Sequence, residues 1–375
     1  MPPIRFIHAA DLHLDAAFSG LSRDIPADFA ERLRTATFTA FRRLLDLCER
    51  ESPDFLLLAG DVYNQEDASV SAQLALRDGF RRLESLSIPV FLVHGNHDPL
   101  ASRLRSVRWP GNVTVFGELP DAVPVFRKGE GTPLAIIHGA SHASGRETRN
   151  LAALFRRTEA CGLHVHATPG DADGVARYAP FSQGDLKASG MDYWALGHIH
   201  DRREVCREPL AAYPGCTQGL HINEPGEKGC LLVTAEARPD GGYAVRTSFR
   251  PLGPAVWKTL DMDLGGAASL DELENRLRTG LDRAAAEVWS GCEMLLVRLR
   301  LQGRTELDGL LRKGTTCAEL ADRLREDGSG VPRIWIKDID VATRPCVERG
   351  ALLEREDLLG EVFRLSEAAR TAWSG

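Results

Sequence analysis

Short, predominantly apolar runs alternate with longer amphipathic stretches through the first half of the chain. Residues 4–10, 55–59, 90–93 and 193–196 are rich in Ile, Val, Leu, Phe and Ala and are too short for helices. Such runs predict strands buried on both faces. Between them, residues 28–50 carry Phe29, Leu33, Phe38, Phe41, Leu44, Leu45 and Leu47 near helical spacing. Residues 71–86 repeat the pattern with Leu74, Leu76, Phe80 and Leu83, and Pro89 follows. This alternation over residues 4–196 predicts a layered α/β domain whose helices cover a sheet.

The texture changes at 205–249, where short strand-like runs are separated by Tyr213-Pro214-Gly215, Glu224-Pro225-Gly226 and Asp240-Gly241-Gly242. That predicts antiparallel ribbons closing a domain over 1–252, with the Pro-Leu-Gly-Pro stretch at 251–254 as the linker. A smaller α+β unit is expected over 256–345. It has strands at 257–264, 294–301 and 333–341 and a helix to 289 opened by the capping box of Ser269 and Glu272. Short helices are expected at 306–312 and 317–325. Residues 346–375 form a C-terminal helical segment, with an amphipathic stretch at 357–368 that could dock a partner or pack on its own domain.

With 375 residues, two domains are the expectation, and 43% hydrophobic with 26% charged residues is ordinary for a globular chain. No 18-residue apolar stretch is present, so no membrane contact is expected. Met1-Pro2-Pro3-Ile4-Arg5 leads into the first strand without a signal-peptide pattern. Eight cysteines lie scattered with no CxxC pair, which points to reduced thiols and a cytoplasmic location. A net charge of −7 argues against coating nucleic acid by bulk electrostatics but does not exclude a nuclease.

The chemistry lies in fragments that follow the strands: Asp11-Leu12-His13, Gly60-Asp61, Gly95-Asn96-His97-Asp98 and Gly197-His198-Ile199-His200. In open α/β sheets, ligands gather beyond the carboxyl ends of the strands, so residues distant in sequence can converge there. Each fragment alone has a plainer reading, since an Asp after a strand caps helices and a Gly-Asn pair makes turns. Their joint occurrence is the specific signal. Asp, Asn and His without Cys suit a pair of divalent ions better than a closed structural zinc site. Asp61 has two oxygens and could bridge both ions. A further imidazole is expected from His138, His142, His164 or His166. Position favours His166, at the carboxyl side of its run, with His142 and His138 as alternatives and His164 packed and hydrogen-bonded. His8, His94 and His221 read as supporting or structural. His97 could hydrogen-bond a phosphoryl oxygen or protonate a leaving oxygen, with Asp98 orienting it. The attacking group would be a hydroxide bridging the ions.

These fragments resemble the signature of calcineurin-like metallophosphoesterases. Asp11-Leu12-His13-Leu14-Asp15, Tyr178-Ala179-Pro180, Asp192-Tyr193-Trp194-Ala195-Leu196-Gly197-His198, Pro214-Gly215-Cys216-Thr217-Gln218-Gly219 and Glu227-Lys228-Gly229-Cys230 resemble the YhaO branch of SbcD-type DNA repair exonucleases. The likeness is specific over 1–250; beyond it, Arg344-Pro345 and its flanking strands are compatible with a capping domain. The resemblance implies a four-layer αββα double-sheet sandwich with a smaller C-terminal α+β capping domain. It implies two manganese ions, one held by Asp11, His13, Asp61 and His200 and the other by Asp61, Asn96, His166 and His198, with His97 catalytic. Some relatives carry a histidine three residues after the bridging Asp, where this chain has Asn64. DNA and an SbcC-type SMC-like ATPase are the implied partners, and a homodimer is admitted. The function so implied is Mn-dependent DNA exonuclease or endonuclease cleavage of phosphodiester bonds, with Arg103, Arg105 and Arg108 as phosphate contacts or a solvated surface run. The competing readings are a small-substrate phosphodiesterase or phosphomonoesterase on the same metals, which would not need the second domain, and a scaffold that has lost catalysis.

Overall fold

Alternate residues of each central strand are drawn into different apolar layers. In β1 (Ile4–Ala9), Ile4 and Phe6 enter one core and Ile7 and Ala9 the other. In β2 (Phe55–Ala59), Phe55 and Leu57 oppose Leu56 and Leu58 in the same way, as do Phe91 and Leu92 in β3 (Val90–Val93). Both faces are covered, which is why these runs read as continuously apolar. The computed structural model describes residues 2–21, 25–64, 69–101, 107–158, 161–172, 178–239, 241–326, 330–346 and 349–372.

β1, β2, β3 and β4 (Val113–Val115) are parallel neighbours in the first sheet. The second sheet contains β5 (Asp121–Val125), β6 (Ala135–Gly139), β7 (Leu163–Pro169), β8 (Tyr193–Gly197), β9 (Arg203–Arg207) and β10 (Leu210–Tyr213), in the order β5-β6-β7-β8-β10-β9. The chain then returns, and β11 (Gly229–Ala237) and β12 (Tyr243–Pro251) extend the first sheet as β12-β11-β1-β2-β3-β4. The expected ribbons are therefore antiparallel additions to both sheets.

Three cores separate four layers. Helices α1 (Ala27–Arg34), α2 (Ala36–Glu51) and α3 (Val70–Ser85) precede and follow β2. Phe41 and Leu44 of α2 and Leu76 and Phe80 of α3 share a core with Ile7, Leu56, Leu58 and Leu92. Between the sheets lie Phe6, Phe55, Phe91, Leu163, Val165 and Tyr193, with Phe6 and Phe55 stacked at 4.6 Å. Outside the second sheet, Leu151, Phe155 and Leu186 pack with Trp194 and Leu196. This is the αββα double-sheet sandwich. The single helix expected over 28–50 is broken at Thr35, where φ of −97° and ψ of 3° depart from helical values.

The chain divides into two compact units, Met1–Lys258 with Val288–Leu296, and Thr259–Glu287 with Val297–Gly375. A three-stranded sheet orders Ala255–Asp263, Met294–Gln302 and Arg333–Val341. The helix Leu270–Glu287 buries Leu273, Leu277, Leu281 and Ala284 at helical spacing, and Ser269 accepts from the Glu272 N–H at its start. The C-terminal helix Leu358–Ala372 leaves Leu358, Leu359, Val362 and Leu365 exposed. No described helix is long and apolar enough to cross a membrane.

The carboxyl ends of the two sheets meet so closely that side chains are excluded. A Cβ on Gly197 of the second sheet would lie 1.5 Å from the Ala59 carbonyl oxygen of the first. Gly197→Ala is expected to destabilise the protein by at least about 1–3 kcal/mol, as overpacking does. Gly117→Ala, with nothing within 4 Å of its Cβ position, serves as control. Paired urea denaturation midpoints check this; equal midpoints would contradict the close approach.

Candidate metal centre

The parallel ladder of β1 and β2 continues past both strand ends. Asp11 N–H donates to the Gly60 carbonyl at 3.2 Å and His13 N–H to the Asp61 carbonyl at 3.0 Å. The first two fragments are thereby held side by side. From the other sheet, the His198 N–H reaches both Asp11 carboxylate oxygens, at 2.9 and 3.1 Å. The His97 N–H donates to Asp61 Oδ1 at 2.8 Å, which ties in the third fragment. Asp11, His13, Asp61 and His198 all adopt left-handed backbone, with φ of 49°, 41°, 42° and 91°. Each such non-glycine conformation costs on the order of 1–3 kcal/mol, and such strain clusters at functional sites.

Two groups of donors result. In the first, ligand atoms of Asp11, His13 and His200 lie within 4.8 Å of one another. His13 Nδ1–H donates to Asn64 Oδ1 at 2.6 Å and His200 Nδ1–H to Glu224 Oε1 at 2.6 Å. These contacts turn the two Nε2 atoms toward each other at 3.0 Å. At that separation a proton or a cation must lie between them. In the second group, His198 Nδ1 lies 2.9 Å from Asn96 Oδ1. Asp61 interacts electrostatically with His13, His198 and His200. Its Oδ2 is buried without a hydrogen-bond partner. An orphaned buried carboxylate oxygen beside nitrogen and oxygen donors fits a bridging role for divalent ions.

The electrostatics agree. Burial, with repulsion from Asp61 and Asp98, raises the Asp11 carboxyl to about 7 despite His200. Burial opposes charge on His200, yet the Glu224 hydrogen bond and the carboxylates of Asp11, Glu224 and Asp61 raise it to about 9. Burial lowers His13 and His198 and keeps both neutral, the form that binds metal.

Six of the seven expected ligands, Asp11, His13, Asp61, Asn96, His198 and His200, are brought together. His166 is not. In β7 it alternates with Leu163, Val165 and Ala167, which face the core between the sheets, so it faces the opposite way. Its ring packs between Phe155 and Trp194, at centroid distances of 4.0 and 4.2 Å, with both nitrogens unpartnered. His166 pairs with Trp194 in the ladder, three residues before Pro169 pairs with Gly197, so it falls about 10 Å short of the strand end. His138 and His164 share that outer layer, 3.0 Å apart.

Asp98 is also placed differently. Its carboxylate accepts from the N–H groups of Gly95 at 2.7 Å and Val62 at 3.0 Å, and faces His94 Nδ1 at 3.0 Å. These bonds brace the loop that carries Asn96 and His97. His97 itself is exposed beside His13, with ring centroids 5.1 Å apart. His8 meets the Tyr193 hydroxyl at 2.9 Å, in keeping with a supporting role.

Three contributors escaped the sequence reading: Glu224, Asn64 as a support for His13, and Tyr178, whose ring lies 4.7 Å from that of His198. A Glu in a Gly-Pro turn carries no signal of its own. Arg103 and Arg105 lie outside the described residues, and Arg108 is exposed.

With this geometry in view, comparison with known proteins is decisive. The calcineurin-like phosphoesterase family profile matches residues 4–202. The chain belongs to the calcineurin-like phosphoesterase family. Residues 257–344 match the middle domain of metallophosphoesterase YhaO. Among calcineurin-like relatives, the uncharacterized metallophosphoesterase YhaO of Bacillus subtilis is 36% identical over 348 residues, covering 91% of this chain and 82% of that protein. The DNA double-strand break repair protein Mre11 of Aeropyrum pernix is 27% identical over 317 residues, covering 77% and 69%.

Because His200 is charged at neutral pH without metal, a divalent ion taken up at its Nε2 must displace a proton. Mn²⁺ affinity should therefore rise with pH from 6.5 towards 9, with proton release visible by calorimetry in buffers of different ionisation enthalpy. Glu224→Gln removes the leading influence that raises His200 and should weaken that dependence. Identical pH profiles for the two proteins would contradict the assignment.

Proposed function

We propose that this phosphoesterase is a manganese-dependent DNA nuclease. The observation that carries the reading is the buried Asp61 carboxylate, whose Oδ2 has no partner and whose charge acts on His13, His198 and His200, beside the clustered donors of Asp11, His13 and His200. These residues would hold two divalent ions. When bound, such ions supply Lewis acidity to a phosphoryl group and a nucleophile at neutral pH. The family relation makes the reaction phosphoester hydrolysis, and the likeness to proteins named for DNA double-strand break repair supports DNA as the substrate.

In this reading the protein's own groups position and protonate. His97 stands exposed at the mouth of the site with its backbone anchored on Asp61, so its imidazole can donate a proton to the departing oxygen. Asp98 acts one step back, keeping the loop that carries His97 and Asn96 in shape. Glu224 and Asn64 orient His200 and His13 through the ring nitrogens remote from the site. The second unit would guide DNA. The apolar residues left exposed on Leu358–Ala372 would receive an SMC-like ATPase, the partner the sequence resemblance implies.

The test uses the full chain with end-labelled linear duplex DNA and Mn²⁺, in parallel with Mg²⁺, EDTA and an aryl phosphodiester. Mn²⁺-dependent degradation that falls about 10²–10⁴-fold in His97→Ala is the expected outcome. Hydrolysis of the aryl ester with no cutting of DNA, even with an ATPase partner added, would favour a small-substrate phosphodiesterase.

A further inference from the structure

We infer that Lys228 is a positioning residue, which fixes the backbone of His200 from the first sheet; the inference rests on the two-ion reading above and deepens it. Lys228 falls in Glu227-Lys228-Gly229-Cys230, a stretch of the sequence resemblance that lies outside the candidate donors. Lysine is almost never fully buried unless paired. Here the side chain is only 5% exposed, and its Nζ donates to the His200 carbonyl at 2.9 Å and to Asp201 Oδ1 at 3.3 Å. Asp201 is 73% exposed, so water weakens that ion pair, and the shielded bond to the His200 carbonyl is the stronger tie.

The anchor is itself fixed. Lys228 directly precedes β11 of the first sheet, and its own carbonyl accepts from the N–H groups of Leu252 and Gly253 at 2.9 and 3.1 Å. His200 follows β8 of the second sheet, so the bond between them ties one sheet to the other. The His200 carbonyl sits in a tight slot. The Cys216 N–H lies 3.4 Å from it, and a Cβ on Gly215, at φ of 79°, would lie 2.7 Å from it. Glu224 holds the same residue by its ring, at Nδ1, and is itself fixed by the Leu220 N–H at 2.7 Å. The charge of Lys228 acts on that carboxylate. An ammonium alone would repel an incoming ion, but the opposite charge of Glu224 offsets it. What Lys228 then controls is where His200 Nε2 stands, 3.0 Å from His13 Nε2 in the donor group with Asp11. His198, two residues earlier, is held by its own N–H bonds to Asp11. The influence of Lys228 therefore falls on the ion at Asp11, His13 and His200.

The test measures bound metal rather than turnover. Full-length wild type, Lys228→Met, Lys228→Gln and Asp201→Ala are freed of metal, checked for folding by circular dichroism and titrated with Mn²⁺. Free Mn²⁺ is followed by its electron paramagnetic resonance signal. Lys228→Met keeps the apolar stem without charge or donor, and Lys228→Gln ends one bond short of Nζ. Wild type should take up two ions. Whichever Lys228 variant folds should bind one ion at least about tenfold more weakly and the other within about twofold of wild type. Asp201→Ala, which leaves the bond to His200 in place, should bind both as wild type does. Two affinities unchanged in the Lys228 variants, both lowered together, or either one raised overturns the role of Lys228. So does an equal loss in Asp201→Ala, which would place the effect in the exposed ion pair. A wild type that takes up fewer than two ions overturns the two-ion reading itself, and this inference with it.

Discussion

Asp11 and Asp61 are almost completely removed from solvent, and they are held on adjacent loops by the continuing β1–β2 ladder. Burying one ionised carboxylate costs several kcal/mol, and a neighbouring carboxylate adds repulsion. The surroundings supply partial compensation. Backbone N–H groups of His198 and His97 reach the two carboxylates, and a charged His200 lies nearby. Asp61 Oδ2 still receives nothing. A site so built has its negative charge arranged before its cations arrive. The rest of the molecule can be understood as the scaffold that keeps this arrangement from relaxing.

Relaxation is resisted in two ways. The sheets press together at their carboxyl ends, where Gly197 lies against the Ala59 carbonyl, and within the first sheet Gly95 lies against Asp61. The cross-sheet bonds from His198 to Asp11 join residues 187 positions apart, so neither sheet can slide without breaking them. Left-handed backbone at Asp11, His13, Asp61 and His198 is tolerated because the large cores on both faces of both sheets over-determine the strand ends. Around the donors, Asn64 and Glu224 each accept the far ring N–H of a histidine, and the other nitrogens of His13 and His200 face each other. The same device thus operates twice, with an amide and a carboxylate.

Much of this was legible in the chain. The central strands are short and apolar on both faces, so they declare themselves without tertiary information, and polar fragments directly after them mark the sheet edge. The candidate donors at 11, 13, 61, 96, 198 and 200 all lie in those fragments. Local pattern was weaker at Thr35, where a departure of one residue from helical backbone divides a stretch that reads as a single helix.

The sequence by itself determined the layered fold, the edge at which chemistry gathers and the kinds of atoms found there, because these depend on periodicity and on adjacency to strand ends. Only the tertiary structure decided where individual side chains point. His166 lies on a strand whose parity and register send it to the outer face, and a shift of one residue would reverse that. Asp98 turns inward because the N–H groups of Gly95 and Val62 need an acceptor, and Val62 is 36 residues away. Glu224 reaches His200 through a loop whose course is set by contacts with other segments. Direction and long-range convergence are properties of packing, and no local pattern encodes them.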